Sequence, residues 1–374
     1  MGNNNALYFI AAMLYVSQLP SCYNQRSMET NNTSNKKQLW IGIAVSLVSL
    51  VLIFVFIKPA DIINAIQQAN FFYLALGSTA VLLFFIFRAV RWRFLLRNQV
   101  PYLPVFHIQN IGYMLNTFLP ARLGDFARAV LVGSIPPVTI ATGLSTTVVD
   151  RLIDMVFVVA VLPFTLATVV SLPDWMETGA RTTGIVAIAG IVILIIAANQ
   201  RPFVERIATA VLNRIPFMDT ASWTRRVDDL LKGLDALSSP KDGFILILLT
   251  IIVWIPIIFA YYIGMTAVGL DATWVMAVFV FAAAALSVAL PSSPGQIGVY
   301  HAGVIAALTL LGQPDAGAAS FAFSYHALNM ILIPIILGVI GLAATGSTFK
   351  SVVHNTQAFM KRNKTVDSPA NHNG

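Results

Sequence analysis

The sequence predicts an all-α polytopic membrane protein built as inverted repeats, each with spanning helices and a broken or re-entrant hairpin. Three observations predict it. Hydrophobic residues fill 57% of the 374 positions and charged residues 10%, against about 25% charged in an ordinary soluble domain. Several apolar runs approach or pass the ~20 residues a helix needs to cross a bilayer. Two further apolar stretches, one in each half, are interrupted at their centres by Pro and Gly. These features exclude a soluble globular domain, a disordered chain and a collagen-like chain. A single cysteine, Cys22, excludes an intramolecular disulfide scaffold. The five histidines show no metal-ligand spacing, so neither a metal nor another cofactor is expected. The formal charge of +7 fits cytoplasmic loops rather than nucleic-acid binding.

Residues 1–38 form a polar N-terminal extension. Its apolar part, 6–19, is short for a span and has no basic residue before it. Met28 as an alternative start and an interfacial segment are equally weighted readings. Confident spans follow at 39–57, 71–90, 152–172, 184–198, 244–268 and 316–344. Between them, 106–132 breaks at Pro120 and neither half is long enough to cross alone. A re-entrant hairpin is expected there, buried in protein or facing a watery cavity. The stretch 272–311 breaks at PSSPGQIG (291–298); a re-entrant hairpin and two full spans both remain open. Residues 201–243 form a cytoplasmic linker containing an amphipathic helix on the membrane surface, with Trp223, Val227, Leu230, Leu234 and Leu237 on its apolar face. A cytoplasmic tail occupies 347–374.

With the N-terminal stretch inside, 18 Lys and Arg fall on the cytoplasmic side and two, Lys58 and Arg181, outside. Both termini are then cytoplasmic in an integral cell (inner or plasma) membrane. The halves, 39–172 and 184–344, run in opposite senses. Inverted halves with broken helices in matching positions are the architecture of alternating-access transporters, whose site lies at the repeat interface.

Ionisable groups at membrane depth are costly and mark candidate sites. Arg88, Arg91, Trp92, Arg93 and Arg97 close the second span. They read as a positive-inside anchor with an interfacial Trp, or as guanidinium donors to a lipid phosphate, with Arg88 deepest. Asn116, Arg122, Asp125 and Arg128 surround the first break. Two cations against one anion there, with backbone N–H groups freed near Pro120 and Gly124, suit an anionic headgroup. Asp150, Arg151 and Asp154 open the next span. A charge network bracing the first hairpin is favoured over acid–base catalysis, and no catalytic residue is assigned. In the second half, 244–349 holds no Lys or Arg and two carboxylates, Asp271 and Asp315. His301, after the break, and His326, with Asn329 one turn on, are its polar handles. The hinge candidates are Pro120, Gly124, Pro291, Pro294, Gly295 and Gly298.

The runs N-x-x-x-P-x-R-x-G-D-x-x-R (Asn116 to Arg128), DRLID (Asp150 to Asp154) and PSSPGQIGV (Pro291 to Val299) resemble the flippase-like family that includes the transmembrane part of lysylphosphatidylglycerol synthase. The resemblance covers roughly 38–346. It implies a lipid-translocating domain with two re-entrant hairpins in inverted repeats. Family members often carry Glu where His301 stands and Arg where His326 stands. The paired change implies that the two positions touch, and puts lipid specificity in question. The synthase carries a soluble aminoacyl-transferase domain after its membrane part; this chain ends about 30 residues after its last span, so lysyl transfer is not expected.

The function expected is movement of a lipid or lipid-linked anion between leaflets. Arg88, Asn116, Arg122, Asp125, Arg128, Arg151, Asp154, His301 and His326 are its candidate substrate contacts. The alternative is a membrane-embedded glycosyl or other transferase using a polyprenyl-linked donor. A third reading is an accessory protein that only binds partners; the cost of buried charges, rarely borne by a pure scaffold, argues against it. The expected partner is a membrane lipid with an anionic headgroup, not nucleic acid. A homo-oligomer or a biosynthetic partner enzyme is left open. There is no nucleotide-binding G-x-x-x-x-G-K-[ST] run, so any use of ATP would require a partner.

Overall fold

Capping residues set where the long helices begin. Asn70 accepts hydrogen bonds from the N–H groups of Phe72 and Tyr73, and Ser239 accepts from Asp242 with Pro240 in the first turn. In the computed structural model, residues 58–119, 122–169, 239–288 and 293–366 are described, with positions 47, 48, 51, 55, 182 and 185. They are helical with no strand: α1 (Pro59–Gln67), α2 (Phe71–Leu95), α3 (Tyr102–Phe118), α4 (Leu123–Val132), α5 (Ile140–Val169), α6 (Pro240–Ala267), α7 (Trp274–Ser287), a 3₁₀ turn (Pro294–Gln296), α8 (Val299–Leu310), α9 (Asp315–Tyr325), a π-helical turn (His326–Leu332), α10 (Ile333–Ala344) and α11 (Phe349–Val366). Three stretches among these residues are long and apolar enough to cross a membrane: Phe71–Leu95, Lys241–Ala267 and Asp315–Thr345. Leu76, Leu82, Leu83, Ile86 and Val90 remain exposed along α2, as a lipid-facing side requires.

The expected extension at 1–38, most of the first span, the span at 184–198, the amphipathic linker helix, Pro120, Pro291 and the chain beyond 366 lie outside the described residues. Elsewhere three expectations are corrected. The stretch left between the first two expected spans, 58–70, contains α1, with Pro59 in its first turn. Helix α5 begins twelve residues before the predicted span, so Asp150 and Asp154 sit well inside it rather than at its start. The last span is interrupted by the π turn. Pro334 lacks the N–H that an unbroken α-helix would use, and the turn before it absorbs the mismatch.

Packing radiates from an antiparallel pair, α2 on α6. The N–H of Asn70 donates to Ala267 O at 2.7 Å, Phe84 packs on Trp254, and Arg97 at one end reaches Asp242 at 3.3 Å. Around this pair, α3 packs on α2, α4 and α10; α7 packs on α6, α8 and α5; α4 packs on α5, and α8 on α9. The largest buried apolar cluster joins α2, α6, α7, α8 and α9 through Phe85, Trp254, Tyr261, Phe281, Tyr300 and Phe321.

Candidate functional site

The charged centre starts from four residues one helical turn apart on two helices. Arg88 and Arg91 lie on α2, Asp150 and Asp154 on α5, so each pair points to one side of its helix. The Arg91 Nε and Nη2 donate to Asp150 Oδ1 at 3.0 and 2.7 Å, and Nη2 also reaches Asp154 Oδ1 at 2.6 Å. Arg88 Nη2 donates to Asp150 Oδ2 at 3.1 Å and to Asp154 Oδ2. Arg128, from α4, completes Asp150 at 3.1 Å while its Nε donates to Thr147 Oγ1. Its guanidinium lies 4.6 Å from the centre of the Trp92 ring, and the Trp92 N–H donates to Thr146. Arg88, Arg91, Trp92, Arg128 and Asp150 are each at most 1% exposed. Burial makes this network costly to open, because either partner left alone is an uncompensated charge.

Trp92 and Arg91 are therefore not an interfacial anchor. They belong to the interior; sequence reasoning named Arg91 and Asp150 but did not count them as substrate contacts, and it passed over Tyr113. For Asp150 the signal was present: it stands four positions before Asp154, and its reading as part of a bracing network matches the geometry.

A second pair flanks the first break. Arg151 donates to Asp125 through Nε at 3.2 Å and Nη2 at 2.8 Å. Asn116 Nδ2 donates to the same carboxylate at 3.3 Å, and Asn116 Oδ1 accepts from the Gly124 N–H at 2.8 Å. Asp125 thus balances Arg151, not Arg122 or Arg128. Gly124 proves to be a contact glycine rather than a hinge. A Cβ there would stand 1.9 Å from Gly112 O, so its absence lets α3 and α4 touch. In the described part of the break it is Arg122 that takes the left-handed region, at φ 52°. A non-glycine residue in the left-handed region is strained, and such strain persists where the surroundings fix it.

Arg122 is exposed, and its guanidinium donates to Val288 O at 2.9 Å across the molecule. Val288 ends α7, at the second break. From the other side, a Cβ on Gly295 would lie 3.4 Å from Thr117 O, at the end of α3. The two breaks therefore meet, each leaning on the last turn of the other's first helix. Pro294 opens the 3₁₀ turn. Gly295, Gln296 and Gly298 take φ of 71°, 60° and 89°, so the described part of the second reversal runs through all three.

Behind that turn stand the histidines. The Gly298 N–H donates to His301 Nδ1 at 3.2 Å, and His326 Nε2 donates to Gly295 O at 2.7 Å. Their ring centres are 4.6 Å apart, so the two positions do touch. Tyr300 stacks on His326, Phe323 on His301, and the hydroxyls of Tyr300 and Tyr261 lie 3.2 Å apart. Among the described residues no group of three or more His, Cys, Asp or Glu side chains converges as a metal site would require.

Buried charge among helices long and apolar enough to cross a membrane defines a helical membrane protein. Residues 39–338 match the family described as the lysylphosphatidylglycerol synthase TM region, and the chain belongs to that family. It is 22% identical to "Glycosyltransferase AglD" of Haloferax volcanii over 333 residues, 78% of this chain and 52% of that protein. It is 20% identical to a "UPF0104 membrane protein" of Methanothermobacter thermautotrophicus over 342 residues, covering 85% of this chain and 96% of the relative. The chain thus spans about half the length of the first of these relatives and nearly all of the second.

Proposed function

We propose that the protein moves a lipid or lipid-linked anion between the leaflets of the cell membrane. The observation that carries this reading is the meeting of the two breaks beside a charge network with surplus cations. Arg88, Arg91, Arg122, Arg128 and Arg151 face Asp125, Asp150 and Asp154, a formal excess of two positive charges. An anionic headgroup entering between the breaks would offset that excess.

The packing supports an inverted repeat. Exchange α2 with α6, α3 with α7, α4 with α8, and α5 with the α9–α10 segment, and the packing pairs map onto one another. The α3–α10 contact becomes α7–α5, α3–α4 becomes α7–α8, and α4–α5 becomes α8–α9. Because α2 and α6 are antiparallel, the axis that exchanges them runs across the helices, as in transporters with inverted topology. On this reading α3–α4 and α7–α8 are re-entrant hairpins, and both chain termini are cytoplasmic. Alternating access would part the two breaks on one side at a time.

Purified protein in liposomes with fluorescent anionic and zwitterionic lipids tests the proposal. Leaflet exchange faster than in protein-free vesicles is expected, and Arg122→Ala should reduce it by about tenfold. Wild-type protein that leaves exchange at the protein-free rate for every headgroup would overturn it.

The relative named a glycosyltransferase keeps a second reading, a transferase using a polyprenyl-linked donor. Asp125, Asp150 and Asp154 are each held by at least one guanidinium, which leaves none of them placed as a free general base. Sugar transfer by the purified protein would favour this reading over transport.

A further inference from the structure

Tyr113 lies on α3, about two turns before the break, and its hydroxyl has no hydrogen-bond partner although it is shielded from solvent. Its surroundings are cationic. The guanidinium carbons of Arg88 and Arg151 each lie 5.7 Å from its ring centre. Arg122 stands within electrostatic reach of the same residue. The ring is held from behind by Phe85 in an edge contact at 5.2 Å. Nearby, the Nε of Arg88, a residue 1% exposed, also lacks a partner.

The arginines divide by their place: two brace the helices and three stand around the phenol. Arg91 is spent on Asp150, Asp154 and Thr250. Arg128 spends its Nε and Nη2 on Thr147 and Asp150, with its face on Trp92, and its buried Nη1 has no partner. These two hold α2, α4 and α5 together. Arg88, Arg122 and Arg151 have partners of their own, in Asp150 and Asp154, Val288 O and Asp125, and stand around an O–H that donates to nothing. A buried donor without an acceptor costs free energy, and an oxyanion among three guanidinium groups would relieve that cost while meeting the surplus charge.

We propose that Tyr113 is a substrate-positioning residue whose hydroxyl, with Arg88 and Arg122, seats the phosphate of a lipid. This rests on the reading of the site as one for an anionic lipid and narrows it to a phosphate. The phenol supplies a short, directional bond to one phosphate oxygen. The arginines supply charge, and Arg122, at the strained tip of the first break, is the one that moves with that tip. No bond is made or broken in the lipid.

The test is equilibrium binding to the purified full-length protein in detergent, followed by native mass spectrometry. The probes are dioctanoyl phosphatidic acid, dioctanoyl phosphatidylglycerol, inorganic phosphate and, lacking phosphate, dioctanoylglycerol. Tyr113→Phe keeps the ring, its Phe85 contact and its cation–π contacts, and removes the hydroxyl alone. Binding of one or both phospholipids weakened about tenfold in the variant, with dioctanoylglycerol and the melting temperature unchanged, is the expected result. The better of the two phospholipids then tells a phosphate monoester from a diester. Equal affinity of wild type and variant for both phospholipids would overturn the role of Tyr113 while leaving the lipid reading intact. A matched loss for dioctanoylglycerol would overturn it in favour of a structural role. If only inorganic phosphate binds, the lipid reading falls with it.

Discussion

Asp150 is where single-residue arguments are sharpest, because three guanidinium groups converge on it and it is fully buried. Asp150→Asn would leave Arg88, Arg91 and Arg128 with one ionised neighbour, Asp154, in place of two. The expected loss is about 3–5 kcal/mol of stability. Asp125→Asn should cost less, since Asp125 and its partner Arg151 are only half-buried and Asn116 remains beside them. Thermal unfolding of the two variants in detergent checks the order; equal losses would show that the deep network is no more costly to break than the shallow one. At this scale much was legible. Intramembrane charges are rare enough to announce themselves, and the DRLID and Asn116-to-Arg128 runs led to residues that meet in space. Partner choice was not legible. Asp125 stands three positions from both Arg122 and Arg128, yet pairs with Arg151 from another helix, because pairing across helices depends on how they pack. Trp92 was misread for a related reason. A Trp near the end of a span usually marks the interface, and nothing in its neighbours tells that α2 buries that end against α4 and α5.

Helices and their breaks were legible as elements but not in their joints. Pro and Gly correctly marked two interruptions, since a helix cannot pass them unperturbed. Which residue would turn the chain was less visible: Gly124 looked like the hinge, while Arg122 takes the left-handed conformation and Gly124 serves close packing. That difference is testable. A hinge glycine tolerates no side chain for reasons of backbone angle, whereas a contact glycine fails because the added methyl meets Gly112 O and Asn116 Oδ1. Gly124→Ala should therefore push α3 from α4 and break the Asn116 bond to the Gly124 N–H, costing about 1–3 kcal/mol or more. Hydrogen exchange should rise at 116–128 while α2 and α6 stay protected. Protection unchanged across 116–128 would mean the two helices do not depend on that contact. The start of α5 was missed because residues 140–151 are rich in Thr and Ser, which weakens an apolar signal. In the folded chain Thr146, Thr147 and Thr165 turn their hydroxyls back onto carbonyls of their own helix.

Across the whole molecule, the exchange of halves makes a demand that neither half makes alone. In the first half the region behind the break is filled by Arg and Asp; in the second the same region holds Tyr261, Tyr300, Tyr325 and the two histidines. On the proposed inverted repeat the halves would share a scaffold and differ in chemistry, their order of spans and breaks matching while their residues do not. If the scaffold works by alternating access, the two breaks must separate during each cycle, for their contact through Arg122, Val288, Thr117 and Gly295 closes the path between them. Fixing that contact should stop movement without unfolding anything. Thr117→Cys and Ile297→Cys, in a chain whose single cysteine is replaced by Cys22→Ser, place one thiol on each break, and Ile297 is exposed to reagent. A short bis-maleimide should lower leaflet exchange to the protein-free rate, whereas a monofunctional maleimide on the same variant should leave most of it. A cleavable dithiol-forming reagent should restore exchange on reduction. Cross-linked protein that exchanges lipid as fast as the unlinked variant would show that the breaks stay together throughout, and the cargo would then have to pass along an outer face of the helices, away from the surplus arginine charge that now explains why an anion would be drawn in.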